Sequence, residues 1–293
     1  MAVASAPTEV AAPSLVVRAP SFARRHGFIY VCALVWICLV VGVAIFADLL
    51  PLRSPTAPDY SHVRSVPSMQ HWLGTDSLGR DTLSRVIYGA RVSLTVSALA
   101  LLLGLTIGLT LGLIAGYFRG VVETVILTVA DSMLAFPAIV FLMVLTGVLG
   151  QSLPNVVVGL GVIYVPTFVR LARANTLVFA QREFVLAARA GGARGGRIIR
   201  RDILPNVAVP VFAYSFVIVA HLIVAEGTLS FLGLGIPPPR PSWGAMIAEG
   251  RQDLADYPHV VLIPAAVLFL TVLCMNIVGD RFRERLDARE AAV

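Results

Sequence analysis

Residues 182–205 read REFVLAARAGGARGGRIIRRDILP, a basic segment set between two long apolar runs. Glu183 opens a helix-forming stretch that reaches Ala190. Gly191 and Gly192 break it, a second short helix over 194–201 follows, and Pro205 stands where the next apolar run begins. Glycine reaches backbone angles closed to other residues, so the two helices can turn sharply about 191–192. Proline is tolerated in the first turn of a helix. Small Ala187 and Ala188 leave room for a second surface. On these residues alone the segment reads either as a handle for a partner or as a charged loop that only fixes topology. Its flanks decide the fold, because they are long and apolar enough to cross a bilayer.

Working outward, the 293 residues are 57% hydrophobic and 14% charged with mean hydropathy +0.84, too apolar for a soluble domain. A helix of about 20 apolar residues crosses a hydrocarbon core of roughly 30 Å, whereas barrel strands alternate over about ten. The chain therefore reads as an all-α polytopic membrane protein with six transmembrane helices, over 28–50, 92–118, 121–149, 154–169, 207–234 and 260–279. The first run is long and lacks an A-x-A ending, which marks a retained signal anchor. Before it lies a polar tail, 1–27. After it comes a mixed segment, 51–91, with Pro51, Pro55, Pro58 and Pro67, in which 84–91 reads as a short amphipathic surface helix. A five-helix core spans 92–282, and a tail, 283–293, closes the chain.

Cytoplasmic loops carry the excess of positive charge. With the N-terminus inside, 16 of the 23 arginines fall on the cytoplasmic side and 7 outside, so both termini and segment 182–205 are expected in the cytoplasm. The net charge of +6 owes nothing to lysine, which the chain lacks. That excludes the lysine-bearing phosphate loop and Schiff-base chemistry. Cys32, Cys38 and Cys274 lie in apolar runs and suggest neither disulfide nor metal. The five histidines are scattered and neither H-E-x-x-H nor G-x-S-x-G occurs, so no catalytic or metal-binding residue is expected. Nothing points to nucleic acid.

Gly104, Gly108, Gly112 and Gly116 recur every fourth residue and clear a groove for another helix, in this chain or in a second subunit. Asp131, His221 and Glu226 are polar groups inside spans, candidates for a translocation path or for structural hydrogen bonds. Asn276 and Asp280 suit capping or interhelical bonding. Residues 237–241 favour a stiff extended chain, and Trp243 and Met246 suit a helix at the headgroup level.

Segment 182–205 resembles the EAA loop of permease subunits in ATP-binding-cassette importers, whose pattern is EAA, three residues, Gly, nine residues, I-x-LP. Ala187, Ala188, Gly192, Leu204 and Pro205 match in spacing, while Leu186 replaces Glu and Asp202 replaces Ile. HWLGTDSLGRDTLSRVIYGARVS over 71–93 and LSFLGLGIPPPRPSWGAMIAEGR over 229–251 are similar to the signatures of the C-type (DppC/OppC-like) permease of dipeptide and oligopeptide importers. The resemblance implies a type I, MetI-like permease core in the bacterial cytoplasmic membrane. It implies as partners a homologous B-type permease, two ATPases that hold the ATP and Mg, and an extracytoplasmic peptide-binding protein, with no cofactor on this chain. Glu183, Ala187, Ala188, Arg189, Gly191, Gly192, Leu204 and Pro205 would then couple it to the ATPases. Related permeases carry nickel or nickel chelates. An ion-coupled transporter or channel is the alternative of another class.

Overall fold

The computed structural model describes residues 22–290, so residues 1–21 of the expected N-terminal tail and residues 291–293 lie outside the described residues. The described residues are helical apart from loops and an isolated bridge between Thr75 and Asp81. In chain order they form α1 (Phe22–Ile45), α2 (Thr82–Phe118), α3 (Gly120–Ala135), α4 (Ala138–Leu149), α5 (Leu153–Phe179), α6 (Glu183–Ala190), a short turn α7 (Gly195–Arg197), α8 (Leu204–Phe231), α9 (Trp243–Gly250) and α10 (His259–Glu290).

The bundle is built on α2 against α5. A Cβ added at Gly104 would lie 2.8 Å from the Gly161 carbonyl oxygen, at Gly108 2.8 Å from Val165 O, at Gly112 2.6 Å from Val169 O and at Gly116 3.0 Å from Arg173 O. Backbone meets backbone along this seam because nothing larger than hydrogen stands between. The partner residue keeps a fixed offset of 57 in the same direction, so α2 and α5 run parallel. Chain that leaves the end of α2 must therefore return before α5 can begin.

That return is made by α3 and α4, which are not the single straight span expected over 121–149. They meet at an angle of 86°. Pro137 causes the break: it offers no N–H and holds Phe136 in extended conformation at φ −84°, ψ 130°. Five helices are long and apolar enough to cross a bilayer, and the bent pair, taken as one span, gives the sixth.

Three further expectations are corrected. Residues 84–91 are not a surface helix; they are the first turns of α2, which starts at Thr82 with Asp81 accepting from Ser84 N at 2.9 Å. The Trp243 side chain does not face the headgroups: it is fully buried within the protein, its Nε1 donating to Val86 O at 3.0 Å, and Met246 is also buried. The second helix of the basic segment does not stop at 201, since helical structure is continuous from Gly195 to Phe231. A π turn over Ile198–Ile203 joins α7 to α8, with Leu204 N donating back to Ile199 O. The wider turn accommodates Pro205, which lacks a donor and would crowd a regular helix.

At the far end of α1 the Arg91 guanidinium donates to Ala44 O at 2.8 Å, Ile45 O at 3.0 Å and Asp48 at 2.9 Å. Terminal carbonyls of α1 thus find a charged donor on α2. Gly108→Leu should lower the thermal midpoint of the purified chain by the equivalent of about 1–3 kcal/mol or more, because its side chain meets Phe168. Gly147→Leu, with nothing within 4 Å, should leave the midpoint unchanged.

Candidate functional site

The basic segment forms a projection at one end of the bundle. Only Val185 of α6 is buried, packing with Ile198, Ile203 and Val207. Phe184, Leu186, Ala187 and Arg189 are exposed. The turn after α6 is a Schellman motif, in which Gly192 N donates to Arg189 O at 3.0 Å and Ala193 N to Ala188 O at 3.0 Å. Gly192 lies at φ +78°, a conformation that glycine adopts without strain, and Gly191 precedes it as the helix cap. Arg189 stacks over Tyr117 at the end of α2, 5.1 Å from the ring centre, and a Cβ on Gly195 would meet the same ring at 3.1 Å. The projection is thereby seated on the end of α2, and through the π turn it is continuous with α8.

Between the helices lies a cavity of about 440 Å³ with apolar walls, bordered by Leu142 and Leu160 and carrying His221, Thr228, Tyr164 and Asn276. The three intramembrane candidates part company here. His221 faces this cavity, its Nδ1 bonded to Val217 O at 2.9 Å. Asp131 is ion-paired with Arg170 at 2.6 Å, both side chains a little over half exposed, on the α3–α5 face. Glu226 is fully buried away from the cavity, accepting from Ser93 Oγ and Ser230 Oγ at 2.7 Å each. Ser242 reaches Ser230 at 3.1 Å, so Glu226 ties together α2, α8 and the start of α9. Asn276 bonds Val272 O within its own helix and borders the cavity.

The opposite end is a compact polar cluster formed by residues 51–85 and 243–259. Gly74 and Gly79, at φ +73° and +76°, turn the segment 74–81 back on itself. Asp76 accepts from Leu78 N and Arg80 N at 2.9 Å each and from Arg80 Nε at 2.7 Å. Glu249 of α9 receives both Arg80 at 2.6 Å and Arg85 at 2.8 Å, and Arg64 reaches Asp253 at 2.7 Å. The segment also brings together Asp59, His62 and His71, which are separated in sequence and carry no ligand spacing that a motif search would find.

With this geometry in place, residues 108–291 match the family described as binding-protein-dependent transport system inner membrane component. The chain belongs to that family and is a multi-pass permease component of an importer of the ATP-binding-cassette class. Among its relatives is the glutathione transport system permease protein GsiD of Shigella flexneri serotype 5b (strain 8401), 41% identical over 269 residues, 92% of this chain and 88% of that protein. GsiD of Escherichia coli O6:K15:H31 (strain 536 / UPEC) is 40% identical over the same shares. In fold it is similar to an inward-facing MetNI methionine transporter structure, with TM-score 0.57 and 18% identity over 69% of this chain and 95% of that one. An amino acid ABC transporter crystallised with histidines gives 0.51 at 16% identity, over 69% and 94%.

Glu249→Ala should strip Arg80 and the fully buried Arg85 of a shared partner. A loss of about 3 kcal/mol is expected, the low end for a broken buried pair because Glu249 keeps about a third of its surface in water. The fall in thermal midpoint of the purified chain measures it, and Glu249→Gln, which retains an acceptor, should lose less.

Proposed function

We propose that this chain is the C-type permease of an ATP-driven importer that moves small peptides inward across the cytoplasmic membrane, with α6 and α7 engaging a partner ATPase. The observation that carries the reading is the projection itself: one buried residue anchors α6, an exposed small and apolar face is left for a partner, and no joint separates α7 from α8. Movement imposed on such an element by an ATPase pair passes to α8 as a rigid-body displacement, the kind of two-state change that alternating access needs. ATP and Mg belong to the ATPases in this reading, since a chain without lysine offers no phosphate loop.

The arginine bias supports placing α6 and both termini in the cytoplasm and the 51–85 and 243–259 cluster outside, where a binding protein would dock. The exposed apolar face of α3 and α4, with Val121, Val125, Val129, Val140, Val144 and Val148, supports contact with a homologous permease. Peptide cargo is supported by the GsiD relatives, whose named substrate, glutathione, is a tripeptide. The cavity with His221, Tyr164, Thr228 and Asn276 offers mixed apolar and hydrogen-bonding walls suited to such a ligand. Deletion of the chain should confer resistance to toxic peptides and leave nickel uptake unaltered; the reverse result identifies a nickel importer.

Coupling is tested in the reconstituted complex. Gly192→Pro forbids φ +78° and removes the bond to Arg189, and Ala188→Trp, at a half-buried position packed against the core, crowds the seat of α6 beneath the face offered to the ATPase. Both variants should assemble yet hydrolyse ATP without matching transport. Parent transport rates in both would overturn the coupling role, and transport by the single chain in liposomes would overturn the importer reading.

A further inference from the structure

We propose that Asp59, His62 and His71 form a binding site for a divalent transition-metal ion of the Zn2+ or Ni2+ type, on the segment that leads into α2. Spacing in the sequence marks no metal site here; folding brings the three residues together. One ligand atom from each residue can be chosen so that all lie within 4.8 Å of one another. The two imidazole rings are 5.4 Å apart between centres, and His62 Nδ1 is 3.0 Å from Asp59 Oδ2. Small side-chain rotations bring such a set to the distances of about 2.0–2.2 Å that nitrogen and carboxylate ligands adopt on zinc. Two imidazoles with one carboxylate select borderline cations, because Ca2+ and Mg2+ prefer all-oxygen shells.

The backbone that carries the set is held in place. Asp59 N donates to Leu78 O at 3.2 Å, and Thr75 Oγ1 donates to His62 O. Gly79 has no side chain where a Cβ would run into Asp59 O, so residues 59–62 are pressed onto the 71–81 turn. His71 is buried, and its Nδ1 lies 2.9 Å from Asp81 Oδ1. The other oxygen of Asp81 accepts from Ser84 N and Ser84 Oγ, at 2.9 and 3.0 Å, which places this carboxylate as an acceptor. His71 Nδ1 therefore donates and its Nε2 keeps the lone pair, which is the arrangement by which a carboxylate orients a metal-binding histidine. The partner of Nε2 is Arg53 NH1 at 3.2 Å, a group that can only donate and that sits on an exposed side chain free to swing away. A bound ion would replace that guanidinium. Three protein ligands leave a position open for water or a carried ligand, and the ion would join the 59–62 turn through His71 and Asp81 to the N-terminus of α2.

The test uses the full chain in detergent, stripped with EDTA and carrying no polyhistidine tag. Co2+ serves as the optical probe and Zn2+ as the competitor. One Co2+ per chain, displaced by one Zn2+, is expected. His62→Ala and Asp59→Asn, both at partly exposed positions, should each weaken binding by about tenfold or more, and His221→Ala should not change it. Arg53→Ala should tighten binding, because it removes the competitor at Nε2. Zn2+ should raise the thermal midpoint of the parent chain and not that of His62→Ala. Absence of saturable binding below about 100 µM overturns the proposal. So does equal affinity in the parent and in the His62 and Asp59 variants. Unchanged affinity in Arg53→Ala overturns the placement of the ion at His71 Nε2.

Discussion

The close approach of α2 to α5 is the constraint from which the rest of this bundle follows. Lipid is as apolar as the side chains it touches, so hydrophobicity alone does not draw two membrane helices together, whereas backbone contact across glycines does. Four glycines on α2 meet α5 at one fixed offset, which sets both register and direction. Parallel direction in turn obliges α3 and α4 to recross the layer, and the break at Pro137 gives that crossing its elbow. The same pair ends beside Tyr117 and Gly195, so the seat of the projecting α6 and α7 is also an outcome of the glycine seam.

Charge is used in opposite ways at the two ends. Around α6 most arginines are exposed, and Arg189 rests on an aromatic ring, leaving the surface adaptable. In the cluster formed by 51–85 and 243–259, Arg80, Arg85, Asp76 and Asp81 are all buried and spent on one another, on Glu249 or on a helix cap. The motif GTDSLGRD is therefore a folding instruction: two left-handed glycines, an aspartate that closes the turn, and a cap for α2. Glu226 has a similar role deeper in the layer, where serines from two helices and the loop before α9 converge on a carboxyl group that would otherwise be costly there.

Periodicity and composition suffice for helices, approximate spans and the helix, glycine turn and helix of 182–205, because each depends on local chemistry: apolar length, a left-handed glycine, a proline in a first turn. They do not suffice for the bend at 136–137 or for the π turn before Pro205, where a proline is read correctly as a boundary but the geometry around it depends on neighbouring helices. Among polar residues within the spans, sequence gives three candidates. Packing separates them, since His221 reaches the cavity, Asp131 meets Arg170, and Glu226 is enclosed by serines.

The amino-acid sequence by itself determined that this chain lives in a membrane, contains no lysine from which a lysine-bearing phosphate loop could be made, and carries a permease-like basic segment with a glycine break. Those are properties of composition and of neighbours a few residues apart. Tertiary structure decided the parallel seating of α2 on α5, the burial of Trp243 and Arg85, and the meeting of Asp59, His62 and His71. Each of these brings together stretches that lie apart in the chain, as the 59–62 turn meets His71 and the glycines of α2 meet α5. Only closure of the 74–81 turn and the packing of the helices bring them within reach.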